Sequence, residues 1–519
     1  MSSFARSRSE LLLALGLVAI VQGVLFAQIH DYALMGWDTH PLIASARIES
    51  WADLVANFTL ESPKSSHSFS FYRPVMNLSL AVDHALFGLE PFGYHATDAL
   101  LAGACALALF GLTRRLLGPG ARVGPWIALI TFLLLPVHAE VLPLVSRRMD
   151  VLCALFVALA LTAQASRMDD PFSPRSAWPA LLTMLAVGAN QTGLVAAPLI
   201  VALALLSGPA ASARAQLGRA ARTALPHFVA AALVFAARSA ALGQLVGHDT
   251  PPLAHAITKL PWSTGLLSVR LSSLFENADV PIRTQWIPVL GATLLWIVVL
   301  LWIIALVRRG TATSGGDALP AATIPATAAT GLLACTWITL VACVHGVNGF
   351  IQSWDLLIPG QAFALGLGAL AEELHAGLRA RPRPLTALGV GVLVVVIGLQ
   401  ARWSPLLHDY GHWKLGHVAV ERYLADLART IEAADDGEVV TVLAPPISRR
   451  AGRNTLGATR ARLLHVYSLP SWAELRFPDQ RVEFRHRRLG NPSSEPLQDG
   501  VVVLVEGRVR ARARAARIE

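Results

Sequence analysis

Apolar residues gather along this chain in long blocks separated by short polar stretches. The first block runs from Leu11 to Ala27, behind Arg6 and Arg8. Others follow at about 94–113, 123–136, 149–165, 177–190, 193–207, 223–242, 286–307, 326–345, 356–371 and 385–401. A block of about 20 apolar residues is long enough to cross a bilayer as a helix. Helix is the required form, because lipid offers no partners to open backbone groups. The pattern predicts about 11 transmembrane helices. The blocks at 177–190 and 193–207 are short for full crossings and read equally well as a shallow hairpin. The first block is too long and lacks the small-x-small site of a cleaved signal, so a retained first helix is expected.

Between blocks, the pattern changes to one of interfacial helices. Leu42, Ile43, Ala46, Ile48, Trp51, Leu54 and Val55 recur at near-helical spacing within the segment from Gln28 to about Gly93, predicting an amphipathic helix along the membrane surface. Residues 71–88 form a second candidate and Trp262 to Glu276 a third. After Arg402 the apolar blocks stop. The sequence then predicts a helix over 418–433 and strands at Val439–Leu443, Arg481–Arg485 and Val501–Val505. The expected fold is an all-α polytopic membrane domain over 1–402 followed by a small α/β domain over 403–519.

Composition agrees with this reading. Of 519 residues, 54% are hydrophobic and 15% charged, against about 25% charged in soluble domains. The net charge of +9 does not mark a nucleic-acid binder: all but three of the 43 basic residues are arginine, and most lie in short inter-block loops where they set topology. Arg114 and Arg115, Arg167 and Arg175, Arg214 with Arg219 and Arg222, Arg308 and Arg309, and Arg379 with Arg381 and Arg383 occupy alternate loops on the side of Arg6. The N-terminus is therefore expected in the cytoplasm, with the C-terminal segment outside. The four cysteines (Cys105, Cys153, Cys335 and Cys343) lie in apolar blocks without metal-ligand spacing. Neither a disulfide framework nor a zinc site is expected at them.

Ionisable groups at the outer face are the candidate chemistry, since charge near lipid is costly to keep. They are Asp38; Tyr72 and Arg73; His95; His138, Glu140, Arg147, Arg148 and Asp150; and Arg238. A carboxylate such as Asp38 can take a proton from an attacking hydroxyl, and arginines can bind a phosphate and stabilise its leaving charge. Each has a plainer alternative. Asp38 could cap the helix beginning near Pro41, and Glu140 could be half of a structural ion pair. Arg147 and Arg148 could anchor the interface, and His95 and His138 suit buried hydrogen-bond partners better than ligands.

Taken in order, these residues resemble the GT-C superfamily of membrane glycosyltransferases, most closely bacterial relatives of mannosyltransferases that carry tetratricopeptide tails. The resemblance rests on Trp37-Asp38-Thr39, Tyr72-Arg73-Pro74 through Phe87-Gly88, Gly93-Tyr94-His95, Pro136-Val137-His138-Ala139-Glu140 and Ser146-Arg147-Arg148-Met149-Asp150. Order and spacing agree over 37–150 and thin toward about residue 370. It implies inverting transfer of a sugar from a polyprenyl-phosphate donor to a glycan, lipid or protein acceptor at the periplasmic face of a bacterial inner membrane. Asp38 would be the base, Arg73, Arg147 and Arg148 phosphate ligands, and Glu140 a second acid near the acceptor. A divalent metal is compatible with this chemistry but not required.

The chain departs from the family pattern in four places. Thr39 stands where relatives often have a second acid. Ala189-Asn190-Gln191 replaces Ser-Lys-Glu before Thr192-Gly193. Trp354-Asp355-Leu356-Leu357-Ile358-Pro359 replaces Arg-Tyr-Leu-Tyr-x-Pro, and the tetratricopeptide tail gives way to 403–519. The lost charges motivate a second reading, a non-catalytic relative that binds polyprenyl lipid or scaffolds an envelope complex. A transporter fits less well, because no internal repeat is visible and the polar groups gather at one face rather than at the bilayer centre.

Overall fold

The computed structural model describes residues 3–59, 72–167, 177–207, 213–243, 324–348, 353–380, 384–407, 411–433, 439–443, 464, 468–480, 482–487, 501–505 and 508–513. The expected helix at Trp262 to Glu276 and the expected span at 286–307 lie outside them. The described part is mostly helical. Helix α1 covers Ser3–Ile29, α2 Thr39–Ala46, α3 Trp51–Thr59, α4 Pro74–Phe87, α5 Pro91–Leu117, α6 Gly124–Leu133 and α7 His138–Val141. Then come α8 (Arg148–Ala165), α9 (Ala177–Ala189), α10 (Ala196–Leu206) and α11 (Ala213–Leu242). After these follow α12 (Ala326–Asn348), α13 (Leu357–Ala380), α14 (Pro384–Trp403), α15 (Gly411–Glu432) and α16 (Ser468–Arg476).

Among the described residues, six helices are long and apolar enough to cross a membrane, and three shorter apolar ones accompany them. The chain is thus a multi-pass membrane protein. Helices α5 and α8 pack against each other at the centre, with α1 and α6 on α5 and α9 on α8. Helix α13 lies between α6 and α12, and α11 packs on α9 and α10. Helices α11 and α14 leave most of their surface exposed, as apolar rims facing lipid do. The short blocks at 177–190 and 193–207 form α9 and α10, parted by a 3-10 turn at Gln191–Val195. Gly193 is required in that turn, since a Cβ there would lie 2.4 Å from the backbone carbon of Ala186.

The single interfacial helix expected from Leu42 to Val55 is instead two, α2 and α3. The break has a local cause. Ser50 N–H and hydroxyl both donate to Asp53 Oδ2, at 2.8 and 2.9 Å, and Asp53 N–H returns a bond to Ser50 Oγ at 3.2 Å. This reciprocal cap starts a new helix inside the periodic stretch. The segment at 71–88 is helical from Pro74, whose fixed φ suits a first-turn position.

Beyond α14, helix α15 begins at Gly411, seven residues before the start expected from the sequence. Among the described residues four strands make one sheet in the order β2-β1-β3-β4: β1 Val439–Leu443, β2 Glu483–Arg487, β3 Val501–Val505 and β4 Arg508–Ala513. Strand β1 pairs in parallel with β2 and β3, and β3 pairs antiparallel with β4. Strand β2 starts two residues later than the pattern predicts, and neither α16 nor β4 was expected from the sequence.

At the end of the bundle away from α7, one carboxylate fastens α6 to α13. Glu372 Oε2 on α13 accepts the backbone N–H groups of Arg122, Val123 and Gly124 at 3.0, 2.9 and 2.8 Å. These are the donors that a helix start leaves unsatisfied. Glu372→Ala is expected to lower stability by about 1–2 kcal/mol, read as an earlier thermal midpoint in detergent. An unchanged midpoint would show that water replaces the carboxylate without cost.

Candidate functional site

The motifs singled out from the sequence serve two different purposes, and burial separates them. One set is scaffold. Arg148 begins α8 and is fully buried. It pairs with Asp98 on α5 at 2.5 Å and with Asp83 on α4 at 2.6 Å. It also donates to the Ser79 hydroxyl at 3.2 Å and the Tyr94 carbonyl at 3.1 Å. His95 Nε2 bonds to the Tyr32 carbonyl at 3.0 Å. His138 Nε2 bonds to the Phe132 carbonyl at 2.9 Å, with its ring edge-on to that phenyl. Burial pulls the His138 imidazole down to about 4, so it stays neutral at physiological pH.

The second set surrounds Arg73, the residue before α4. Asp150, Arg147, Asp38 and Arg238 all lie near enough to act on its charge. Desolvation is the largest influence and draws the guanidinium down to about 10, with the two carboxylates opposing it. Asp150, in the first turn of α8, feels Arg147, Asp355 and Arg73 and accepts Asn190 Nδ2 at 2.7 Å. Asn190 Oδ1 in turn accepts Thr192 N–H at 3.0 Å, which caps the 3-10 turn. The Asn190 amide therefore orients one of the central acids. Glu140, on α7, is almost wholly buried; desolvation pushes its carboxyl up to about 8 against the pull of Arg147.

Asp38 stands at the N-cap position of α2 yet makes no side-chain cap hydrogen bond. The capping role offered by the sequence is not the one its side chain adopts. Thr39 turns back to donate to the Met35 carbonyl at 2.5 Å. Gly36 takes φ +109°, a region that glycine enters without strain, and a Cβ there would meet Thr39 Oγ1 at 2.8 Å. The bend that presents Asp38 thus needs glycine.

Beside Arg73 lies an open cleft lined by Tyr72, Arg73, Val187, Gln191, Val234, Phe235 and Arg238. Two guanidinium groups, a phenol and a neutral amide meet an apolar wall there. The wall of Val187, Val234 and Phe235 comes from bundle helices, so one side suits hydrocarbon and the other an anion. Arg238 sits over the Phe235 ring at 5.7 Å. Among the described residues no three His, Cys, Asp or Glu side chains gather as metal ligands.

Of the ten residues singled out from sequence, Asp38, Tyr72, Arg73, Arg147, Asp150 and Arg238 are brought around one centre, with Glu140 linked to it through Arg147. Arg148, His95 and His138 are instead bonded to internal partners away from that centre. Sequence reasoning missed Asp83 and Asp98, the partners of Arg148. Asp98 was findable as an acid inside an apolar block; Asp83 looks like the polar face of an amphipathic helix. Gln191 was noticed only as a lost charge, yet it lines the cleft.

No protein-family model matches the chain. Among curated proteins, human protein O-mannosyl-transferase TMTC2 is 34% identical over 96 residues, 18% of this chain and 11% of that protein. Its Xenopus laevis counterpart is 30% identical over 115 residues, 22% of this chain and 13% of the relative. The chain therefore matches only a small part of these relatives' length. Among solved structures, the oligosaccharyltransferase AglB of Archaeoglobus fulgidus, in complex with an inhibitory peptide and a dolichol-phosphate, has a TM-score of 0.45 at 14% identity. That match covers 84% of this chain and 62% of AglB. ArnT of Cupriavidus metallidurans, bound to undecaprenyl phosphate, has a TM-score of 0.44 at 12% identity, covering 92% of this chain and 90% of ArnT. The sequence likeness is thus to protein O-mannosyl-transferases, over about a fifth of this chain.

Two outcomes follow from the burial of these charges. Arg148→Met strands two buried carboxylates and is expected to cost about 3–5 kcal/mol. Loss of monodisperse protein, or a sharply lower thermal midpoint, would register it. For Glu140 the folded-state value is raised from 4.5 to about 8. Its contribution to stability is therefore fully present below the lower value and is lost as pH rises through the upper one. Relative to Glu140→Gln, the wild-type thermal midpoint should fall between pH 5 and 8 and then level off. Parallel pH curves for the two proteins would contradict a raised Glu140.

Proposed function

We propose that the chain is an inverting glycosyltransferase that moves a sugar from a polyprenyl-phosphate donor to a hydroxyl-bearing acceptor. The observation that carries this reading is the cleft in which Arg73 and Arg238 flank Tyr72 and Gln191 against an apolar wall, with Asp38 acting on Arg73 from nearby. A phosphate tethered to a long hydrocarbon has this dual character, and guanidinium groups match its oxygens.

In the proposed step Asp38 takes the proton of the acceptor hydroxyl as that oxygen attacks the anomeric carbon. The bond from that carbon to the phosphate oxygen breaks, and the electron pair leaves with the phosphate. Arg73 and Arg238 stabilise the charge that develops there. Attack opposite the leaving group inverts the anomeric configuration. Arg147 stands between Asp150 and Glu140 in charge terms. A Glu140 carboxyl raised to about 8 is largely protonated at neutral pH and can donate a hydrogen bond to the acceptor.

In this reading residues 1–402 are the GT-C-like catalytic domain. Residues 403–519, with their four-stranded sheet, form an α/β domain on the periplasmic face of a bacterial inner membrane. The arginine-bearing loops supply the orientation. The neutral Asn190 and Gln191 favour a second reading, a lipid-binding relative without turnover.

Mass spectrometry of lipids co-purified in mild detergent separates the two. Asp38→Asn should keep a bound polyprenyl phosphate and lose transfer by roughly 10²–10⁴-fold. Arg73→Ala/Arg238→Ala should lose the lipid itself. Retained transfer in Asp38→Asn would remove Asp38 as the base. A wild type that carries the lipid but transfers nothing would favour the second reading.

A further inference from the structure

The loop from His30 to Asp38 has little regular structure of its own, yet it is held from outside by residues far along the chain. At its start, Gln28 Nε2 donates to the Pro405 carbonyl at 3.3 Å. Ala33 N–H donates to His417 Nδ1 of α15 at 2.9 Å. The imidazole of His417 stacks on Tyr32, with ring centres 5.0 Å apart and planes within 9°. The Tyr32 carbonyl accepts from His95 of α5, so Tyr32 is fixed by the bundle and by α15 together. At the far end, the Ser468 hydroxyl of α16 donates to the Trp37 carbonyl at 2.5 Å.

That last bond bears directly on Asp38. The Trp37 carbonyl belongs to the peptide plane shared with the Asp38 nitrogen, and a planar peptide moves as a unit. Fixing the carbonyl therefore fixes the plane from which the Asp38 side chain departs. Helix α16 also grips the other end of α2, where Arg47 pairs with Glu474 at 3.3 Å. Between these two points, Leu475 packs against the cluster formed by Leu34, Leu42, Ile43, Met76 and Tyr94 with their neighbours. Ser468 and Leu469 are fully buried, so this contact is part of the packed structure.

We propose that α15 and α16 hold the Asp38 loop in its working geometry, with His417 and Ser468 as positioning residues. The inference rests on Asp38 being the base proposed above, and it gives the C-terminal segment a role in the transfer step. The donor at Ala33 is a backbone N–H, so His417 Nδ1 must be the acceptor and its proton must reside on Nε2. An asparagine can present an acceptor in its place, whereas leucine cannot.

The test compares wild type, His417→Leu/Ser468→Ala and the conservative His417→Asn/Ser468→Thr in full-length protein. Amide hydrogen exchange over residues 31–38 should quicken roughly tenfold in the first variant, while α5 exchanges as before. Binding of undecaprenyl phosphate, used as the probe, should stay within about twofold, because Arg73 and Arg238 are untouched. With the donor that co-purifies, kcat should fall roughly tenfold with little change in KM, and the conservative variant should restore both exchange and kcat. Ser468→Ala alone keeps the comparison available where the double variant does not fold. Unchanged exchange at 31–38 would overturn the proposal, as would faster exchange with an unchanged kcat. Faster exchange alongside full transfer by Asp38→Asn would uphold the clamp and place the failure in the base assignment.

Discussion

The end of the bundle that carries α2, α4 and α7 is organised around a buried guanidinium. Arg148 has no exposed surface and meets two carboxylates, a hydroxyl and a carbonyl supplied by α4 and α5. A charge in such a place is tolerable only when its partners stand in fixed positions. Those partners lie on α4 and on α5, a helix long and apolar enough to cross a membrane, and Arg148 itself starts α8. One side chain thereby sets the distance and rotation of three elements. Arg73 and the cleft at one end of α4, and Asp150 in the first turn of α8, inherit their positions from it.

Around the cleft the charges are arranged differently. Three arginines and several carboxylates share one region, and each influences the next: Arg73 by Asp150 and Asp38, Asp150 by Arg147, Glu140 by Arg147. Alternation of sign keeps such a cluster from repelling itself while leaving two guanidinium groups in the cleft wall. The amides at Asn190 and Gln191 fit this pattern. Asn190 donates to Asp150 and caps its own turn, so a neutral side chain fulfils an orienting role, while Gln191 contributes hydrogen-bonding capacity to the cleft without charge.

The C-terminal third ties into the same region through short, specific contacts. His417, Ser468, Glu474 and Leu475 all reach the segment between α1 and α3. Bonds spanning more than 380 residues hold a loop that neighbouring sequence leaves open. A loop with few bonds of its own can keep one geometry when rigid elements on both sides restrain it.

Much of the membrane architecture was legible in the residues alone. Blocks of twenty apolar side chains must become helices in lipid, and the start of α4 follows from a proline that suits a first turn. The break between α2 and α3 was also encoded, in Ser50 and Asp53, but the helical periodicity running through it hid the cap. Sequence could gather the outer-face ionisable residues into one candidate set, since charge beside lipid is costly wherever it occurs. It could not divide that set. Arg147 and Arg148 are adjacent and chemically identical, yet helix geometry turns one toward Asp150 and Glu140 and the other into the buried pair of acids. Which arginine is scaffold and which faces the cleft depends on what the neighbouring helices bring near, and that is decided only when the helices pack. The same holds for α16, whose weak pattern gave no helix signal and whose seat against α2 exists only in the assembled fold.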